Sequence, residues 1–138
     1  YARKRRENDG IPILGRVAAG TPVLAEENIQ GYLTVEKLLG RDRETFLMKV
    51  VGDSMIDEGI MDGDYVVVHA GSTIKNGQIG IVLLDDEPTV KRVFLQKDRI
   101  ALKPANRRAG YKTHYIKQFG QEVRILGKVI GCIRTGIE

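Results

Sequence analysis

The chain has 138 residues, 42% hydrophobic and 29% charged, with 16 glycines, no tryptophan, one cysteine and a formal charge of +4. That length implies one domain able to bury roughly two-thirds of its unfolded surface, and the glycine content favours turns over long helices. No apolar run approaches the ~20 residues of a membrane span, no signal-peptide pattern opens the chain, and a lone Cys132 excludes an internal disulfide framework and fits a reducing cytoplasm.

In chain order, residues 1–10, "YARKRRENDG", form a polar linker or tail. Arg3, Lys4, Arg5 and Arg6 carry the whole net charge there, so the remainder is balanced. Such a run is usually a solvated tail rather than a DNA-binding arm. "IPILG" begins an extended segment, because Pro12 biases Ile11 away from helix. The small, flexible stretch "GRVAAGTPVL" follows, from Gly15 to Leu24. "TVEKLLG" predicts a short helix with Thr34 as N-cap and Gly40 as stop.

From there the pattern is short strands punctuated by turns: Thr45–Val51, Asp64–Ala70, Gln78–Leu84, Glu87–Gln96, Asp98–Pro104 and Glu122–Arg134. The third and fourth flank "DDEP" and read as a hairpin. The expected fold is mostly β, a compact arrangement of sheets and partial barrel with one or two short helices. Cys132, in the last strand, reads as a packed small hydrophobe rather than a reactive thiol.

Two places offer chemistry. "GDSM", Gly52 to Met55, ends a strand and enters the turn segment "IDEGI", whose N–H groups could face a developing oxyanion. Gly-Asp-Ser is also ordinary turn chemistry, which is the simpler account of Ser54 taken alone. Lys91 lies in a strand between Val90 and Arg92, and a strand lysine taken alone is simply solvated.

A serine hydroxyl needs a base, and neither His69 nor His114 sits in a nucleophile motif. A neutral lysine serves instead when burial lowers its pKa, which makes a Ser–Lys dyad. A metal site is poorly supported by one cysteine and two distant histidines, and no cofactor is indicated.

Together "GRVAAGTPVLAEENI", "VVGDSMIDEGIMDGDYVVV" and "TVKRVFLQKDRIALKPAN" resemble the C-terminal domain of LexA-type repressors of the SOS response. That family also includes phage repressors and UmuD-like polymerase subunits. The resemblance runs from about Ile11 to Arg134 and rests on an ordered set: Ala-Gly, then Ser-Met, then a strand lysine. Ala-Gly favours a repressor over UmuD-like members, where Cys-Gly is usual.

The resemblance implies a self-cleaving endopeptidase with Ser54 as nucleophile and Lys91 as general base. The scissile bond would be Ala19–Gly20, with Val17 and Ala18 filling the approach and the Asp53 and Ser54 amides as oxyanion donors. It implies stimulation by the RecA–single-stranded DNA filament, a self-cleavage and dimerisation domain over 11–138, and operator DNA bound only by a winged helix-turn-helix absent from these residues, with 1–10 as the linker or tail after it. It also implies a homodimer through strand 125–134 used as an exposed edge, although the simpler reading of that strand is a core strand. Rival readings are a Ser–Lys peptidase acting on other chains, a non-catalytic dimerisation module in which Ser54 and Lys91 are incidental, and a direct DNA-binding domain.

Overall fold

The computed structural model describes residues 10–39, 44–71, 73–117 and 123–137. It divides into two units, residues 1–43 and 44–138. The tail at 1–9 and the helix stop at Gly40 lie outside the described residues.

In the first unit β1 (Ile11–Leu14) pairs antiparallel with β2 (Ile29–Leu33). β2 was not expected from the sequence, because "IQGYL" breaks apolar alternation at Gly31. Thr34 then caps α1 (Val35–Leu39): its hydroxyl accepts the Lys37 N–H at 3.1 Å, satisfying one of the orphan donors of the first turn.

The second unit is one seven-stranded sheet, all antiparallel. Its strands are β3 (Thr45–Lys49), β4 (Tyr65–Ala70), β5 (Ile79–Leu84), β6 (Glu87–Leu95), β7 (Arg99–Lys103), β8 (His114–Lys117) and β9 (Val123–Ile133). The order β3-β4-β9-β5-β6-β7-β8 leaves β3 and β8 as edges, so the sheet stays open rather than closing into a barrel. Leu84 pairs with Glu87 across Asp85 and Asp86, both at positive φ (47° and 67°). A two-residue turn with that twist is the one that matches the twist of its strands, so the expected hairpin forms. β8 escaped the sequence because only Ile116 of its four residues is buried.

Two apolar clusters form. One gathers Val50, Met55, Ile60, Val66, Val68, Ile81 and Val90; the other gathers Ile74, Val82, Val93, Leu102 and Ile116. Neighbours Ile81 and Val82 fall in different clusters, as strand alternation requires when both faces of a sheet are covered.

The segment 125–134, read from the sequence as a core strand or as an exposed edge, lies inside the sheet. β9 is an interior strand, third in the order, held by β4 over 127–133 and by β5 over 123–128. Two register shifts, which leave Leu126 and Ile130 outside the pairing, let it serve both partners. Among the described residues, Val129–Ile133 pairs with β4 alone. No helix among the described residues is long and apolar enough to cross a membrane.

Candidate active site

Ser54 is presented by the return from β3 to β4. Met55, 2% exposed, anchors that return in the first cluster. Backbone bonds close its base: Val50 N–H donates to the Asp64 carbonyl at 2.7 Å and Gly63 N–H to the Val50 carbonyl at 2.8 Å. The Asp62 carboxylate takes the Gly52 N–H at 2.7 Å. A short 3-10 turn over Ile56–Glu58 follows the serine and stops at Gly59, whose φ of 78° is left-handed and suits glycine.

β7 pairs with β6 only over Arg92–Leu95, so the two strands part at Lys91. The chain leaving β7 holds the serine loop in that notch. Ala105 N–H donates to the Ser54 carbonyl and Asp57 N–H to the Ala105 carbonyl, both at 2.7 Å. The Asn106 amide, 6% exposed, donates to the Asp53 carbonyl at 2.9 Å. The motif "KPAN" by itself gives Asn106 no role, because sequence offers no signal for a bond 53 residues distant.

Ser54 and Lys91 are thereby brought together across 37 residues. Lys91 Nζ lies 2.9 Å from Ser54 Oγ, 2.8 Å from Thr89 Oγ1 and 3.1 Å from the Val90 carbonyl oxygen. Thr89 was missed in the sequence, although two residues apart on a strand is the spacing that shares a face. Burial pushes the Lys91 ammonium below its usual range. Thr89 and the Val90 carbonyl engage two N–H groups of the amine. On deprotonation the remaining direction therefore carries a lone pair aimed at Ser54. A cavity of about 260 Å³ opens on this lysine, lined by Leu84, Thr89, Leu102 and His114 among others.

The Asp53 side chain turns away, accepting from the Tyr111 hydroxyl at 2.6 Å, and that carboxylate raises the tyrosine's pKa. Among the described residues, no backbone carbonyl accepts from the Asp53 or Ser54 N–H. Nor does any group of three or more His, Cys, Asp or Glu gather in metal-binding geometry among them.

Behind the loop Asp64 is 1% exposed and accepts from Arg134 at both oxygens, each at 2.7 Å. The guanidinium bonds hold its carboxyl far below the usual carboxylate range. Arg134 also donates to the Gly59 carbonyl at 2.9 Å, tying the end of β9 to the serine loop. Cys132 is exposed rather than packed as expected, although it pairs with Val66 of the first cluster. Its thiol bonds Asp64 at 3.3 Å, and local burial raises its pKa.

Val17, Ala18, Ala19 and Gly20 belong to the first unit and are exposed there. Thr21 N–H and hydroxyl both donate to the Ala18 carbonyl, at 3.3 and 2.7 Å, closing a four-residue turn. Gly20 occupies its third position at φ 81°. Nothing in the sequence singles out Asn28, yet its side chain organises this turn from a position only 3% exposed. It accepts the Ala18 N–H at 3.0 Å and donates to the Pro22 and Val23 carbonyls at 3.0 and 3.2 Å, fixing the turn from beneath.

Comparison with known proteins places these residues in context. A family model described as Peptidase S24-like matches residues 12–130. The LexA repressor of Geobacillus kaustophilus (strain HTA426) is 44% identical over 134 residues, covering 96% of this chain and 62% of that protein. The chain thus spans less than two-thirds of that relative's length.

Proposed function

The chain belongs to the S24-like peptidase family, and from that membership we propose that it is the self-cleaving part of a LexA-type repressor, with Ser54 and Lys91 as its dyad and Ala19–Gly20 as its substrate bond. The observation that carries the reading is the 2.9 Å approach of Lys91 Nζ to Ser54 Oγ.

Neutral Lys91 takes the Ser54 hydroxyl proton as Oγ bonds to the Ala19 carbonyl carbon. The Asp53 and Ser54 N–H groups hold the resulting oxyanion. Collapse breaks the Ala19–Gly20 bond, the lysine's proton passes to the Gly20 nitrogen, and water, deprotonated by the freed amine, releases Ala19 from Ser54. Val17 and Ala18 enter the cleft ahead of the bond. The 35 residues from Ala19 to Ser54 tether substrate to nucleophile, which removes the entropy of bimolecular encounter.

The brake is the lysine's charge together with the turn that Asn28 holds. A partner favouring the docked segment shifts that population by its differential affinity, and the RecA–single-stranded DNA filament is the partner this reading assigns. A homodimer would form along Val129–Ile133, where Ile130 and Ile133 are exposed and only β4 is paired. The setting is the bacterial cytoplasm.

The pH dependence tests the dyad. Neutral amine grows about tenfold per pH unit below the pKa. Self-cleavage therefore rises about tenfold per unit above pH 7 and levels off below the ~10.4 of a free lysine, because burial lowers the Lys91 pKa. Initial rates between pH 7 and 10.5 measure this, and a flat profile contradicts a lysine base. Stability moves the same way. Between the lowered and ordinary pKa the unfolded chain binds more protons than the folded one, so unfolding free energy rises with pH across that window.

A further inference from the structure

The overall charge balance hides a split. Residues 51–64 hold five carboxylates and no cation, whereas residues 97–117 hold seven lysines and arginines against Asp98 alone. The sheet gathers part of that basic segment on one open face. Register pairs Arg92 with Lys103, Phe94 with Ala101, Ala101 with Tyr115, and Arg99 with Lys117. Paired residues share a face, so an aromatic row, Phe94–Ala101–Tyr115, runs across β6, β7 and β8 with a cationic row on each side. The intervening residues Val93, Leu102 and Ile116 point into the second core cluster.

From this juxtaposition of two cationic rows with an aromatic row we infer that the outer face of β6–β8 binds single-stranded nucleic acid. Stacked bases on sheet aromatics with flanking cations for phosphates is a recurrent solution for unpaired strands. Ala101, the small residue between the rings, sets them two strand spacings apart, roughly 9–10 Å, leaving a shallow trough. Tyr115 is 51% exposed although the Arg99 guanidinium lies 4.0 Å from its ring centroid. Lys103 and Lys117 are exposed and have no carboxylate partner among the described residues.

A cleft of about 650 Å³ continues from the face, lined by Arg92, Phe94 and Lys103 and then by Arg107 and Tyr111. Its carboxylates are engaged: Glu58 pairs with Arg92 at 2.8 Å, and Asp57 accepts the Arg107 N–H at 2.8 Å. An acidic peptide would use the cations and leave the aromatic row idle, so the row favours bases.

Fluorescence anisotropy of a labelled 20-nucleotide oligothymidylate with the 138-residue chain tests this. Binding is expected at 50 mM salt, weakening as salt rises. Tyr115→Ala weakens it about tenfold, and Arg99→Glu with Lys117→Glu abolishes it; both variants keep the wild-type melting transition. Removing residues 1–9, with their four clustered cations, leaves most of the affinity. Absence of binding, binding that disappears with residues 1–9, equal binding of duplex DNA, or equal competition by polyglutamate overturns the inference. If Tyr115→Ala fails to fold, Lys117→Glu alone decides: it must weaken binding at least threefold.

Discussion

Replacing Lys91 with methionine is expected to stop self-cleavage at every pH, a loss of roughly 10⁴-fold or more, while leaving the fold as stable as before or more so. Methionine keeps most of the apolar stem but has no amine, so nothing takes the Ser54 proton. It also removes the half-buried charge whose desolvation lowers the lysine's pKa, so stability has no reason to fall. Activity and stability moving apart distinguishes a lost base from a damaged fold.

Thr89→Val gives the graded counterpart. The amine stays, but its 2.8 Å partner is gone and the lone pair is no longer held on Ser54. Cleavage slows about tenfold to a hundredfold, since loose positioning is costly without removing any reacting group. Cleavage rates at pH 9 and urea unfolding of the three proteins check the series. A Lys91→Met chain that still cuts itself excludes the dyad.

The second large effect falls on stability. Gly127, where β9 is bonded to β4 and β5 at once, is expected to be intolerant even of alanine. A Cβ there would overlap the His69 carbonyl oxygen and stand 2.8 Å from Val68 Cγ1. The carbonyl belongs to β4, which is paired with β3 on one side and β9 on the other, and cannot move aside. Gly127→Ala should therefore destabilise by about 3 kcal/mol, toward the upper end for overpacking. Gly131, on the same strand, is the control. Its added Cβ would meet Val67 at 3.8 Å, an ordinary contact, so Gly131→Ala costs less than about 1 kcal/mol. Equal costs at the two positions, read from urea midpoints, would mean that close strand approach at Gly127 is not what excludes a side chain.

Much of this was legible in the sequence because the signals were local. β-branched runs marked β4 and β5, "DDEP" marked the hairpin, and Thr34 marked the helix start. The two residues of the dyad could be named from a resemblance in ordered motifs. What escaped was long-range. β2 and β8 are short, β2 without a buried residue and β8 with one, so they carry little periodicity. The interior place of β9, between β4 and β5, follows from strand order, which hydrophobic pattern does not encode. Asn106, Asn28 and Arg134 each hold a loop through bonds to distant backbone or carboxylate groups, and a single polar residue in a sequence gives no sign of its partner. The basic face of β6–β8 needed register as well as composition, because its cations are scattered singly along three strands.

The central claim is tested most directly by the masses of the products. The chain and its Ser54→Ala variant are incubated side by side at pH 10 and weighed by mass spectrometry. Two fragments, residues 1–19 and 20–138, are predicted from the unsubstituted chain and none from the variant. A cut at any other bond, an intact unsubstituted chain, or the same fragments from Ser54→Ala would contradict self-cleavage by this dyad.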